Sequence, residues 1–366
     1  MENDLEKRRT LSRNKQLTVI ACVFMLFGML APSVYAALPA PFPDFPQNPL
    51  QFALITTEDG LSNDTVQAIM QTKDGFLWFG TRDGLNRYNG YDFEVFNADP
   101  EALDSIQNNE IQVLLEDSIG GIWIGTSDGL DWYSRETGAF IHYSSEDDII
   151  TPLLSDDITA LMEDTAGNIW VGTRDGGVSI FFPDAANFEN FRHNRFNFHS
   201  ISSNYITAIV EDRMGRIWVA TDNGLNLYDA NRERFDHFLP EDEDSPNYPN
   251  DSITSMVLAS DNTLWLGTDG MGLVHFYPDE AYIERYWADD SENAISSNVI
   301  LSLLWNQDKE LWIGLDNGLD RFDPDYEFDT LYDLYDDILK PSGMTFKELQ
   351  EKGWSYPPEG SSSCPY

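Results

Sequence analysis

The residue types able to do chemistry are present in this chain, but mostly without the spacing that chemistry needs. The histidines are His142, His193, His199, His237 and His275. None has a second His four residues on, and none stands beside a Cys, so the zinc-holding patterns are missing. Gly125-Thr126-Ser127-Asp128-Gly129 spells Gly-x-Ser-x-Gly, but it lies between two β-rich runs, whereas a nucleophile elbow joins a strand to a helix. No Gly-rich loop ending in Lys cradles a phosphate. With 63 Asp+Glu, a carboxylate pair at glycosidase spacing can be found in any region and identifies none. The clusters Glu146-Asp147-Asp148 and Glu241-Asp242-Glu243-Asp244 offer oxygen ligands. They lack the alternating ligands and central Gly of a calcium loop and read as solvated loops. The residues therefore point to no cofactor, no metal and no catalytic centre. A lyase or hydrolase reading rests on no motif.

One pattern does have the regularity of a site. An Asx column, Asp64, Asn109, Asp156, Asn204, Asp251 and Asn298, recurs along the chain. This column and its neighbours supply the candidate ligand contacts Asn63, Asn109, Asp156, Asn204, Asp251 and Asn298. The competing role is local, because an Asn or Asp side chain in a loop bonds the backbone two residues on.

The elements that must position this column follow from a repeat. Trp78, Trp123, Trp170, Trp218, Trp265 and Trp312 are separated by 45, 47, 48, 47 and 47 residues. The Asx column lies 14 residues before them. Twelve before stand Val66, Ile111, Ile158, Ile206, Ile253 and Ile300, and nine before stand Ile69, Leu114, Leu161, Ile209, Met256 and Leu303. Two after stand Gly80, Gly125, Gly172, Ala220, Gly267 and Gly314, followed by Thr in five copies and Leu315 in the sixth. Within the first copy, Val66–Gln71, 76–81, 85–88 and 91–96 read as strands. Lys73-Asp74-Gly75, Arg82-Asp83-Gly84 and Asn89-Gly90 read as the turns between them. Four antiparallel strands per copy, repeated six times, predict an all-β fold, a β-propeller of four-stranded blades. The ring is either closed with six blades or an incomplete seven-bladed arc. The Trp column is read as packing between blades, and the Gly beside it as room for the next blade's approach. Residues Gln51–Thr57 read as a strand that would complete the last blade.

Charge and the termini bound the setting. The 366 residues carry 22 Lys+Arg and a net charge of −41, which argues against nucleic acid and anionic lipid as partners. Residues 1–36 have a basic start, an apolar run from Leu17 to Leu30 and the small-residue end Val34-Tyr35-Ala36, the order of a signal peptide. The apolar run of 14 is short for a membrane span, although an N-terminal anchor is the alternative. Cleavage after Ala36 leaves 17 Lys+Arg against 60 Asp+Glu, a net charge of −43. The expected location is the periplasm or the exterior. Residues 37–50 are a Pro-rich lead-in, 51–325 the repeats, and 326–366 a tail with a short helical pattern and no repeat. The two cysteines, Cys22 and Cys364, exclude a disulfide framework.

The copies resemble the two-component regulator propeller repeat. The likeness lies in Gly60-Leu61-Ser62-Asn63-Asp64-Thr65-Val66, Gly75-Phe76-Leu77-Trp78-Phe79-Gly80-Thr81 and Asp83-Gly84-Leu85-Asn86-Arg87-Tyr88. It recurs in Gly121-Ile122-Trp123-Ile124-Gly125-Thr126 and Asn223-Gly224-Leu225-Asn226-Leu227-Tyr228. The resemblance implies the periplasmic sensing region of a hybrid two-component regulator or a sensor diguanylate cyclase, whose ligand is often a carbohydrate. No kinase or other output domain is legible here. The expected partners are a carbohydrate or other small ligand and an envelope signalling protein. The alternatives are an envelope interaction scaffold or a fragment of a larger sensor.

Overall fold

The computed structural model describes residues 54–102, 104–146, 152–238, 252–289, 294–307 and 309–322. The leader, the lead-in, the tail and Asp251 lie outside the described residues. In the first copy the chain makes β1 (Val66–Gln71), β2 (Leu77–Thr81), β3 (Gly84–Tyr88) and β4 (Phe93–Phe96), paired in that order as one antiparallel sheet. Copies at 111–143, 158–191, 206–238 and 253–286 repeat this sheet, and 300–322 supplies a sixth of three strands. The molecule is a six-bladed β-propeller. The turns form where Gly takes a positive φ, 94° at Gly75 and 118° at Gly84. The expected strand at Gln51–Thr57 is absent from its described part. Thr57–Asp59 instead make one 3-10 turn, because Thr56 and Asp59 cap it reciprocally and Gly60 ends it at φ 108°.

Strand alternation sorts each blade into two faces. Trp78 and Gly80 of β2, with Leu85 of β3, face the following blade. Ile69, Leu77, Phe79 and Tyr88 face the other way. The face carrying Trp packs on the column of Ile twelve residues before the next Trp. A Cβ added to Gly80, Gly125, Gly172 or Gly267 would meet the Cγ2 of Ile111, Ile158, Ile206 or Ile300 at 2.6, 2.6, 2.6 and 2.5 Å. These glycines are thus the price of backbone-to-side-chain approach between blades. Blade 4 carries Ala220 at this place and still buries Ile253 completely, so one interface accommodates a methyl. The five resulting interfaces each hold an apolar cluster, such as Trp170 and Val178 against Ile206, Ile217 and Val219.

Three of the Trp rings are also held at the indole N–H. Asp117, Asp164 and Asp212, six residues before Trp123, Trp170 and Trp218, accept it at 3.1, 3.0 and 3.0 Å. Burial pushes the Asp212 carboxyl up, but hydrogen bonds from Trp218, Arg216 and Met214 overrule this and hold its pKa below the usual value. Thr72 and Ala259 stand in that place before Trp78 and Trp265, whose indole N–H groups are buried without a partner.

The first and last faces differ from the rest. Ile111, Ile158, Ile206, Ile253 and Ile300 are fully buried, whereas Val66 is 37% exposed and Ile69 is 68% exposed. On blade 6, Leu304 and Leu319 are 61% and 62% exposed, although Leu85, Leu130, Val178 and Leu225, the counterparts of Leu319, are fully buried. Among the described residues no apolar cluster joins blade 6 to blade 1.

This asymmetry sets a stability prediction. Ile206→Ala opens a cavity in a filled interface and should cost about 2–5 kcal/mol. Val66→Ala, the same column on the uncovered face, should cost under about 1 kcal/mol. Urea unfolding of the two variants checks this, and equal losses would contradict it.

Candidate functional site

The Asx column lies at one end of the propeller, where the linker entering each blade meets the β2–β3 type of turn of the blade before. The structure ties both together. The carbonyls of Asn109, Asp156, Asn204 and Asn298 accept the turn N–H of Gly84, Gly129, Gly177 and Gly272 at 2.8, 2.7, 3.0 and 3.0 Å. Their side chains reach back along the linker. Asn109 accepts from Ala98 N–H, Asn204 from His193 N–H and Asn298 from Ala288 N–H, each at 2.7 Å. Asp156 accepts from the N–H and hydroxyl of Ser145 at 2.6 and 2.7 Å, and Asp64 from Thr57 N–H at 2.9 Å. Asn63 accepts from Thr65 N–H at 2.8 Å, an Asx turn one position earlier. Among the described candidates Asn109, Asp156, Asn204 and Asn298 each clip their own linker, and Asn63 closes a local Asx turn.

The Thr column completes this end. Thr81, Thr126, Thr173, Thr221 and Thr268 are fully buried. Their hydroxyls donate to the carbonyls of Gly84, Gly129, Gly177, Gly224 and Gly272 at 2.7–3.0 Å. Leu315 removes this bond from blade 6. One polar cluster here spans three blades. Gln112 donates to Asp157 at 2.9 Å, and Arg174 Nε donates to the same carboxylate at 2.7 Å. The Arg174 guanidinium also bonds the Tyr205 hydroxyl at 3.2 Å and lies 5.2 Å from the centre of its ring. Burial lowers the Arg174 pKa, but the Asp157 and Tyr205 contacts overrule it and raise the value above normal. Sequence reasoning missed this cluster. Gln112 is the extra residue of a β-bulge between Ile111 and Val113, and that bulge recurs in every blade. Only an Asp-Arg-Tyr set read in blade register would have shown it.

The histidines serve the fold. His142 pairs with the buried Asp131 at 2.6 Å, His193 with the Ile201 carbonyl at 2.8 Å, and His237 with the Ser200 carbonyl. His199 lies 3.7 Å from Asp236. His275 is stacked on Trp265 at 3.9 Å and bonded to Thr263 at 2.6 Å. Among the described residues no group of three or more His, Cys, Asp or Glu could hold a metal ion.

With this geometry in view, comparison with known proteins is specific. The family model for the two component regulator propeller matches residues 60–83, 105–128, 152–175, 200–223 and 247–270. Each match runs from a linker through the Trp-bearing strand to the following turn. The chain carries five two component regulator propeller repeats. It is 46% identical over 54 residues to Histidine kinase P4 of Formosa agariphila, a stretch covering 15% of this chain and 4% of that protein. The extracellular domain of a putative hybrid two component system of B. thetaiotaomicron, BT4673, shares 18% identity at a TM-score of 0.52. PorZ, a surface component of the type-IX secretion system of Porphyromonas gingivalis, shares 20% at 0.57. In both cases 70% of this chain aligns with 38% of the other. Virginiamycin B lyase of Staphylococcus aureus aligns over 70% of this chain and 84% of its own, with 12% identity and a TM-score of 0.52. At these identities the structural likenesses establish the fold alone. No helix among the described residues is long and apolar enough to cross a membrane.

The buried His275 gives a pH dependence. Burial lowers its pKa from the ordinary 6.5 to about 4, against the opposing pull of Asp261 and Glu284. Between these values the unfolded histidine binds a proton that the folded one refuses. Stability from the neutral ring is thus complete above pH 6.5 and is lost as pH falls towards 4, by up to about 3 kcal/mol. The variant His275→Gln should flatten that part of the urea-midpoint profile between pH 7 and 4. An unchanged profile would refute the assignment.

Proposed function

We propose that this chain is the recognition propeller of an extracytoplasmic two-component sensing system and acts by binding rather than catalysis. The observation that carries this reading is the five-fold match to the regulator propeller on five successive blades. The stretch shared with a histidine kinase agrees with it. The leader-like order of residues 1–36 supports a place outside the cytoplasm. A carbohydrate or other small ligand would meet the end of the propeller where the Asx linkers and the Gln112–Asp157–Arg174–Tyr205 cluster lie. There an exposed guanidinium, a phenol and an amide combine donors with an aromatic face, the mixture that polyhydroxylated ligands need. Signalling then passes to an envelope partner.

The test is oligosaccharide-array binding followed by calorimetry on residues 37–366. A ligand should be found, and Arg174→Ala with Tyr205→Ala should weaken it at least about tenfold while the unfolding midpoint holds. Asn204→Ala should instead lower the midpoint, since its amide clips His193. Binding that survives loss of Arg174 and Tyr205 would move the site elsewhere, and absence of any ligand would count against the reading.

A further inference from the structure

The linker between blades 3 and 4 has the same build as the linker between blades 1 and 2 but opposite chemistry. In the first linker Asn109 clips Ala98 N–H, Ser105 Oγ accepts from Asp99 N–H, and Asp99 accepts from Glu101 N–H. In the third, Asn204 clips His193 N–H, Ser200 Oγ accepts from Asn194 N–H, and Asn194 accepts from Phe196 N–H. The buried anchors Ile106 and Ile201 correspond as well. These bonds and anchors correspond position by position, with Phe196 in the place of Glu101 and Arg195 in that of Pro100.

The side chains displayed on that scaffold are unlike those of the other linkers. The others carry Asp99, Glu101 and Asp104; Glu146, Asp147 and Asp148; Glu241 to Asp244; and Asp289, Asp290 and Glu292. The third carries none. Residues 190–210 contain no Asp or Glu in a chain of net charge −41, yet hold Arg192, His193, Arg195 and His199. Phe196 and Phe198 are 79% and 85% exposed. The Arg195 guanidinium lies 4.6 Å from the centre of the Phe196 ring. The fold does not require Arg195 or Phe196, because the first linker makes the same turns with Pro100 and Glu101 in their places. Nor is the loop loose: Ser200 Oγ also donates to the Asn197 carbonyl at 2.8 Å, and Phe235 N–H donates to His199 at 2.9 Å.

We propose that the 192–199 loop is a rigid docking knob for a protein partner that offers an apolar pocket rimmed by carboxylates. Aromatic and Arg side chains dominate the energy of protein interfaces. A small ligand needs a concave site, whereas Phe196 and Phe198 project outward from the surface. The chain's net charge of −41 disfavours an acidic partner over most of its surface, so a basic, aromatic loop confers register. The proposal does not depend on a ligand binding at the Arg174 cluster.

A short synthetic peptide alternating Glu with Leu and Phe serves as the probe, with fluorescence anisotropy as readout. The same peptide with Lys for Glu, and polygalacturonate, serve as comparisons. The acidic peptide should bind, weaken as salt is raised, and lose at least about tenfold in affinity with Phe196→Glu or Arg195→Glu. Glu101→Gln on the twin scaffold should leave binding unchanged. Phe196→Glu should keep the wild-type unfolding midpoint, since Glu101 occupies that position in the first linker. Equal binding of the Lys peptide, indifference to both loop variants, or polygalacturonate binding with the same variant losses would each overturn the proposal.

Discussion

The structure depends on one contact repeated between blades: the β-branched side chain that opens each blade presses on the glycine beside the Trp of the blade before. A sheet alone leaves two apolar faces in water. Stacking hides one face of each against the next, at an approach that a Cβ on Gly80, Gly125, Gly172 or Gly267 would obstruct. Burial at the interface explains why the repeat must be kept in so many columns at once. It also explains why the outermost faces, bearing Ile69 and Leu319, stand apart from their counterparts inside.

A second layer of the same logic operates at the end of the propeller. Buried Thr hydroxyls close the turns, the turn glycines donate to the next linker, and the Asx side chains fasten that linker. These bonds satisfy backbone groups that would otherwise be orphaned at a crowded junction. With the junction fixed by five similar clips among the described residues, the residues between the clips are free to vary. The Arg174 cluster and the 192–199 loop both occupy such positions. Both proposed recognition surfaces thus depart from the repeat, on a frame supplied by the residues that keep it.

Much of the fold was legible in the sequence because packing at a fixed period leaves fixed residue types. Trp170, Gly172, Thr173 and Ile158 could each be assigned a place in a blade from spacing alone. In the described part of Gln51–Thr57 the expected strand does not form, because Thr56 and Asp59 cap a 3-10 turn reciprocally there. The site was less legible. The Asx column drew attention by its regularity, yet its side chains are occupied by Ala98, Ser145, His193 and Ala288. The Asp157–Arg174–Tyr205 cluster joins residues of blades 3 and 4 whose proximity only the bulged register reveals. The buried Asp212 beneath Trp218 was hidden among the acids, although its place six residues before the Trp recurs at Asp117 and Asp164.

The central claim is that stability resides in the contacts between blades, so that blades covered on both sides outlast those covered on one. Native-state hydrogen exchange tests it directly. The account predicts slowest exchange in Ile169–Thr173 and Ile217–Thr221, and earliest opening in Leu77–Thr81 and Leu311–Leu315. Equal protection across all six blades, or greater protection in the first and sixth, would contradict it.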